Sequence, residues 1–120
     1  MTPGAVAALW MVAALACYTT GVWSERLVAR LEPWHLTMFW LGWACDTTGT
    51  GQMERLAGGL RLTFHGVTGA LALVLMLVHA AWATVVLVRH DERAIRSFHR
   101  LSVFVWTLWL VPFVSGALFR

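Results

Sequence analysis

The chain has no lysine at all: every one of its basic residues is an arginine. Charged residues of either sign make up only 12% of the 120 residues, about half of what a soluble domain carries. A chain this short of charge, with 59% apolar residues and a mean hydropathy of +0.69, has too little polar surface for a water-soluble fold. The net charge of +3 could suggest nucleic acid, but the arginines flank apolar runs, where the positive-inside rule explains them. Cysteine is scarce too. Cys17 and Cys45 both fall inside apolar runs, there is no Cys-x-x-Cys, and no disulfide framework is implied. Ala14-Leu15-Ala16-Cys17 has the outline of a lipoprotein cleavage box, but it lacks the basic segment of a signal peptide and the usual leucine three before the cysteine. Gly-x-Ser-x-Gly, phosphate-binding loops, dinucleotide fingerprints and His-Glu-x-x-His are all missing, which argues against a stand-alone enzyme. Internal repeats, low-complexity tracts and linkers are likewise not evident.

What the chain does have is four long apolar runs, at about 5–23, 33–53, 63–88 and 101–119. A membrane helix needs about 20 largely apolar residues, so one all-α domain is expected: an integral membrane four-helix antiparallel bundle. Span two starts at Pro33, a residue suited to the first helical turn. It turns polar at Asp46-Thr47-Thr48-Gly49-Thr50-Gly51. Its apolar part is too short to cross alone. Either the helix continues through the Thr/Gly segment against its neighbours, or it breaks there under cover of protein. The eight tryptophans fit partly as interface anchors, with Trp40 and Trp43 too deep for that and expected to pack or line a cavity.

Four spans put both termini on one side. Connectors one and three then share Arg26, Arg30, Arg89, Arg93, Arg96 and Arg100, against Arg55, Arg61 and Arg120 on the other face. This bias predicts connectors one and three in the cytoplasm and both termini outside.

Ionisable residues within apolar runs are costly and are functional candidates by default. His65 and His79 are close to four turns apart on one helix, about 21 Å along the axis, a spacing similar to the ligand pairs of di-haem b-type cytochromes. Gly66 and Gly69 would admit a flat macrocycle. Haem iron needs axial ligands from facing helices, and His35 or His99 could pair with His79, whereas His65 faces no histidine at its own end. One b-type haem in electron transfer or a quinone-linked role, with His35, His65, His79 and His99 as the cofactor-binding candidates, is the leading expectation.

The rival is a polar relay. Asp46 and His79 have similar estimated depths and could share a proton, with Cys45, Thr47, Thr48 and Tyr18 nearby. His35 and Asp46, three turns apart, fall on one face of span two. Such a group suits a small proton- or cation-coupled transporter or channel. The plainer alternatives are that Asp46 caps a helix segment and each histidine is a satisfied core residue, His90 and His99 being interfacial. A non-catalytic assembly subunit of a larger membrane complex is a third role, and a homo-oligomer stays open.

The pattern His35-x-x-x-Phe39-Trp40-x-Gly42-x-x-x-Asp46-Thr47-x-Gly49-Thr50-x-x-Met53 resembles the signature of the HsmA family of small, very hydrophobic prokaryotic membrane proteins. His79-Ala80-x-Trp82-Ala83 and Phe98-His99-Arg100-x-Ser102-x-x-x-Trp106 are similar to it as well. The resemblance implies four membrane helices in a prokaryotic plasma membrane and singles out His35, Asp46, His79 and His99. It implies no particular activity.

Overall fold

A computed structural model describes residues 2–56, 58 and 64–118, with side chains omitted at 56, 64–65 and 115–118. Four α-helices account for nearly all of them: α1 (Pro3–Val28), α2 (Pro33–Leu56), α3 (Phe64–Val88) and α4 (Glu92–Leu118). Helices α1, α3 and α4 are long and apolar enough to cross a membrane; α2 is as long but more polar. The helices form a ring: α1 and α3 each pack against both α2 and α4, and the diagonal pairs make no close backbone approach among the described residues.

Local chemistry sets the helix ends. Thr2 caps α1, its hydroxyl accepting from the Ala5 N–H at 3.1 Å, with Pro3 in the first turn. Ala29, in the left-handed region at φ 53°, ends the helix. Helix α2 continues unbroken through Asp46-Thr47-Thr48-Gly49-Thr50-Gly51, so of the two sequence expectations the continuous one holds. Asp46 lies in mid-helix and caps nothing. Helix α4 begins nine residues before the expected Leu101. The cause is visible in the segment: Asp91 Oδ1 accepts from the Ala94 N–H, acidic Glu92 occupies the first turn, and Ile95 and Phe98 supply an inward stripe. Most of what reads as a charged connector is therefore two turns of helix.

This extension ties the two Arg-rich connectors together. The Arg30 guanidinium donates to both carboxylate oxygens of Glu92, at 2.6 and 2.9 Å, and the Leu31 N–H donates to the Ile95 carbonyl at 3.0 Å. The bonds to Glu92 raise the Arg30 pKa above its ordinary value. Both side chains are solvent-exposed, so the pair fixes geometry more than it adds stability.

Buried residues recur every seven positions on each helix. On α1 they are Ala7, Ala14 and Gly21, with Tyr18 and Glu25 alongside; on α2, His35, Gly42 and Gly49, with Phe39 and Asp46. On α3 they are Ala72, His79 and Val86; on α4, Ile95, Ser102 and Trp109, with Phe98, Val105 and Pro112. A seven-residue period is the seam spacing of helices packed at shallow left-handed angles. Glycine makes the α1–α2 seam close. A Cβ on Gly42 would sit 2.6 Å from the Tyr18 ring, and one on Gly21 2.8 Å from Phe39. Tyr18 is fully buried and cannot yield. Gly42→Ala is expected to destabilise the bundle by about 1–3 kcal/mol, read as a lower unfolding midpoint in detergent. An unchanged midpoint would mean the two helices separate freely at this level.

Trp40 and Trp43 form part of the α2–α3 contact. Trp40 Nε1 donates to the Thr84 hydroxyl at 3.1 Å, and Trp43 Nε1 to the Leu73 carbonyl at 3.1 Å. Helix surfaces carrying Leu9, Val12, Leu71, Val74, Val78, Phe104 and Val111 face outward, as lipid contact requires.

Candidate functional site

Two buried polar clusters lie inside the ring, one heptad apart along α1 and α4. That separation is about 10 Å by helix rise.

The first is built on Asp46. The carboxylate is 2% exposed. Its Oδ2 accepts from the Tyr18 hydroxyl and from Trp109 Nε1, each at 3.0 Å; its Oδ1 accepts from the Thr50 hydroxyl at 3.2 Å. The Tyr18 and Trp109 rings also meet edge-on at 5.0 Å between centroids. One carboxylate thus fastens α1, α2 and α4. With both oxygens engaged, Asp46 is a satisfied structural clamp. Cys45 is buried beside it, whereas Thr47 points outward and takes no part.

The second cluster joins α1, α3 and α4. Ser102 Oγ donates to Glu25 Oε1 at 2.6 Å and lies 2.9 Å from His79 Nε2. Glu25 and Ser102 are fully buried and His79 is 2% exposed. With Glu25 ionised, the single hydroxyl proton goes to the carboxylate and His79 Nε2 donates to Ser102, leaving the Nδ1 lone pair as the free end of a neutral ring. Phe39 and Phe98 flank the imidazole at centroid distances of 4.5 and 5.2 Å. Both ends of this chain, His79 Nδ1 and Glu25 Oε2, are buried and make no hydrogen bond among the described residues. The order also departs from that of a hydrolase triad, where the histidine stands between the hydroxyl and the acid.

The expected Asp46–His79 pair is therefore not formed. Phe39 of α2 is what meets His79, and Asp46 lies seven residues further along the helix. The acid joined to His79 through Ser102 is Glu25. In sequence Glu25 reads as the polar end of span one, inside Ser24-Glu25-Arg26. The signal that could have found it is its seven-residue spacing from Tyr18.

His35 is fully buried on α2. Its Nδ1 accepts from the Glu32 N–H at 3.0 Å, so the proton of the neutral ring sits on Nε2, which has no partner among the described residues. His99 is half-buried, with Nδ1 also unpartnered. His65 lies in the first turn of α3, and its side chain is outside the described residues.

These atoms fit a haem poorly. A neutral histidine ligates iron through one nitrogen and carries its proton on the other. His35 cannot do so through Nε2 while its Nδ1 accepts the Glu32 N–H, and His79, with Nε2 turned to Ser102, keeps only Nδ1 for a metal. Phenylalanine rings occupy the space beside His79 that a macrocycle would need. No three His, Cys, Asp or Glu converge on a metal position among the described residues.

Fold and site together define a small all-α bundle of membrane-spanning character with a buried, protonatable His–Ser–Glu chain at its centre. No family model, characterised protein or solved structure matches the sequence.

Proposed function

We propose that the protein is a small proton- or cation-coupled membrane transporter or channel whose working element is the His79–Ser102–Glu25 chain. The observation that carries this reading is the pair of unpartnered ends: a buried acceptor on His79 and a buried oxygen on Glu25, linked through one hydroxyl. A fully satisfied cluster would be structural. One with both termini open can take a proton at one end and release it at the other.

The step balances without any further reactant. A proton arrives at His79 Nδ1. The Nε2 proton passes to Ser102 Oγ, and the Ser102 proton passes to Glu25 Oε1. The ring is then neutral with its proton on Nδ1, and Glu25 is a neutral acid donating to Ser102, which in turn donates to Nε2. Every internal bond is kept in both states, with only its direction reversed; release then requires the Glu25 carboxyl to turn its proton from the Ser102 side to the open side, and a new cycle requires the imidazole to regain its proton on Nε2. Burial favours such internal neutralisation, since a lone charge is expensive in an apolar bundle. Glu25 lies three residues from the end of α1, so the chain opens toward connector one. By the arginine bias that side is the cytoplasm of a prokaryotic cell, and both termini are outside.

The test is proton uptake into proteoliposomes under an imposed potential. Purified protein should exceed protein-free vesicles, and His79→Ala should fall to their level. Equal uptake with and without protein removes the reading and leaves the role of an assembly subunit. A b-type haem in electron transfer, or a quinone-linked role, is the weaker reading because His35 turns an N–H rather than a lone pair to its free side and phenylalanine rings flank His79. The purified protein is accordingly expected to give no Soret band and no pyridine haemochrome after haem supplementation; a b-type spectrum would reverse the order of the two readings. Membership of the HsmA family is offered on the resemblance alone.

A further inference from the structure

Two unpartnered buried atoms belong to residues that stand at one level of the α1–α2 seam. Helices α1 and α2 run antiparallel, and their register is fixed by close contacts: Gly21 meets Phe39, and Gly42 meets Tyr18. One turn further toward connector one, four residues from Gly21 on α1 and four from Phe39 on α2, come Glu25 and His35. Both are fully buried on the inward faces of their helices. Glu25 Oε2 is an acceptor without a donor, and His35 Nε2 lacks an acceptor. That Nε2 carries a proton follows from the Glu32 N–H, which occupies the Nδ1 lone pair. The two groups are chemically complementary, level along the bundle, and not within bonding distance of one another.

We infer that a buried water molecule bridges His35 Nε2–H to Glu25 Oε2 at this level of the seam. Water has the required chemistry: it accepts from the imidazole N–H and donates to the carboxylate oxygen. A metal cation is opposed by the N–H, and an anion by the carboxylate. Buried waters in proteins occupy such sites, bonded to otherwise unsatisfied buried groups. His35 acts as a positioning residue: with Nδ1 held by the backbone, it passes no proton but fixes the water against Glu25. That the water also receives the proton leaving Glu25 rests on the transport reading; the water site itself rests only on the seam geometry.

Water-edited nitrogen-15 NMR of the full-length, histidine-labelled protein in lipid bilayers tests this, with the His35 signals assigned by their loss in His35→Gln. The expected result is a proton on Nε2 that receives magnetisation from bound water. Glu25→Leu should abolish that transfer, and the milder Glu25→Gln should keep it but move the Nε2 resonance. A proton found on Nδ1, no transfer from water, or an Nε2 resonance unmoved by Glu25→Gln would each overturn the inference. Failure here is distinguishable from failure of the transport reading. A bound water in a protein that conducts no protons defeats only the latter. Proton uptake that depends on His79, with no water at His35, defeats only the former.

Discussion

Glu25→Gln is expected to stop proton uptake while leaving the bundle folded. The amide is nearly the same size as the carboxyl and can still accept from Ser102 at the oxygen that now takes a 2.6 Å bond. It cannot accept the proton that the chain delivers. Removing a positioned proton acceptor costs on the order of 100-fold or more in rate. Helix content and detergent monodispersity should match the parent protein, because the seam contacts around Gly21 and Phe39 are untouched. Uptake at the parent rate in Glu25→Gln would show that protons bypass this carboxyl. Uptake lost together with helix content would make Glu25 a packing residue.

Asp46 should behave in the opposite way. It is buried, as the sequence suggests, but it accepts from Tyr18, Trp109 and Thr50 and has no free end. Asp46→Asn keeps one carbonyl oxygen for the Tyr18 and Trp109 donors, and proton uptake is expected to survive. Asp46→Leu leaves the Tyr18 hydroxyl and the Trp109 N–H buried without an acceptor. Each orphaned donor costs about 1–3 kcal/mol, so a combined loss of about 3 kcal/mol or more is expected. Thermal unfolding in detergent reads this as a large fall in midpoint, or as failure to accumulate in the membrane. If Asp46→Asn alone abolished uptake in a folded protein, the roles assigned to the two clusters would be exchanged.

The contrast between these two acids also measures how far the sequence could be read. Hydrophobic runs were sufficient for four helices, and the cost of a buried charge was sufficient to pick Asp46 and His79. Pairing them required more than depth. Depth counted from the end of a run is uncertain by a turn, and it says nothing about which side of a helix a residue faces. The register is set instead by Gly42 under Tyr18 and Gly21 under Phe39, contacts that no hydropathy pattern reports. Glu25 was hidden for a similar reason. An acid beside a serine and an arginine at the end of an apolar run reads as a helix end in water. It is buried because α4 starts at Glu92 and its first turns cover connector one. That early start was itself masked by the charges of Asp91-Glu92-Arg93, which here cap and open a helix. Ser102 carried no signal beyond its place in the Phe98-His99-Arg100-x-Ser102 pattern and its seven-residue spacing from Ile95 and Trp109.

The most direct test of the central claim is proton uptake by Ser102→Ala in proteoliposomes. Ser102 is the one atom bridge between His79 and Glu25, and its replacement removes a single oxygen with little change in volume. The account predicts a folded protein whose uptake is reduced by on the order of 100-fold, with both ionisable residues still in place. Uptake at the parent rate would contradict it, because no proton could then be passing from the imidazole to the carboxyl through that hydroxyl.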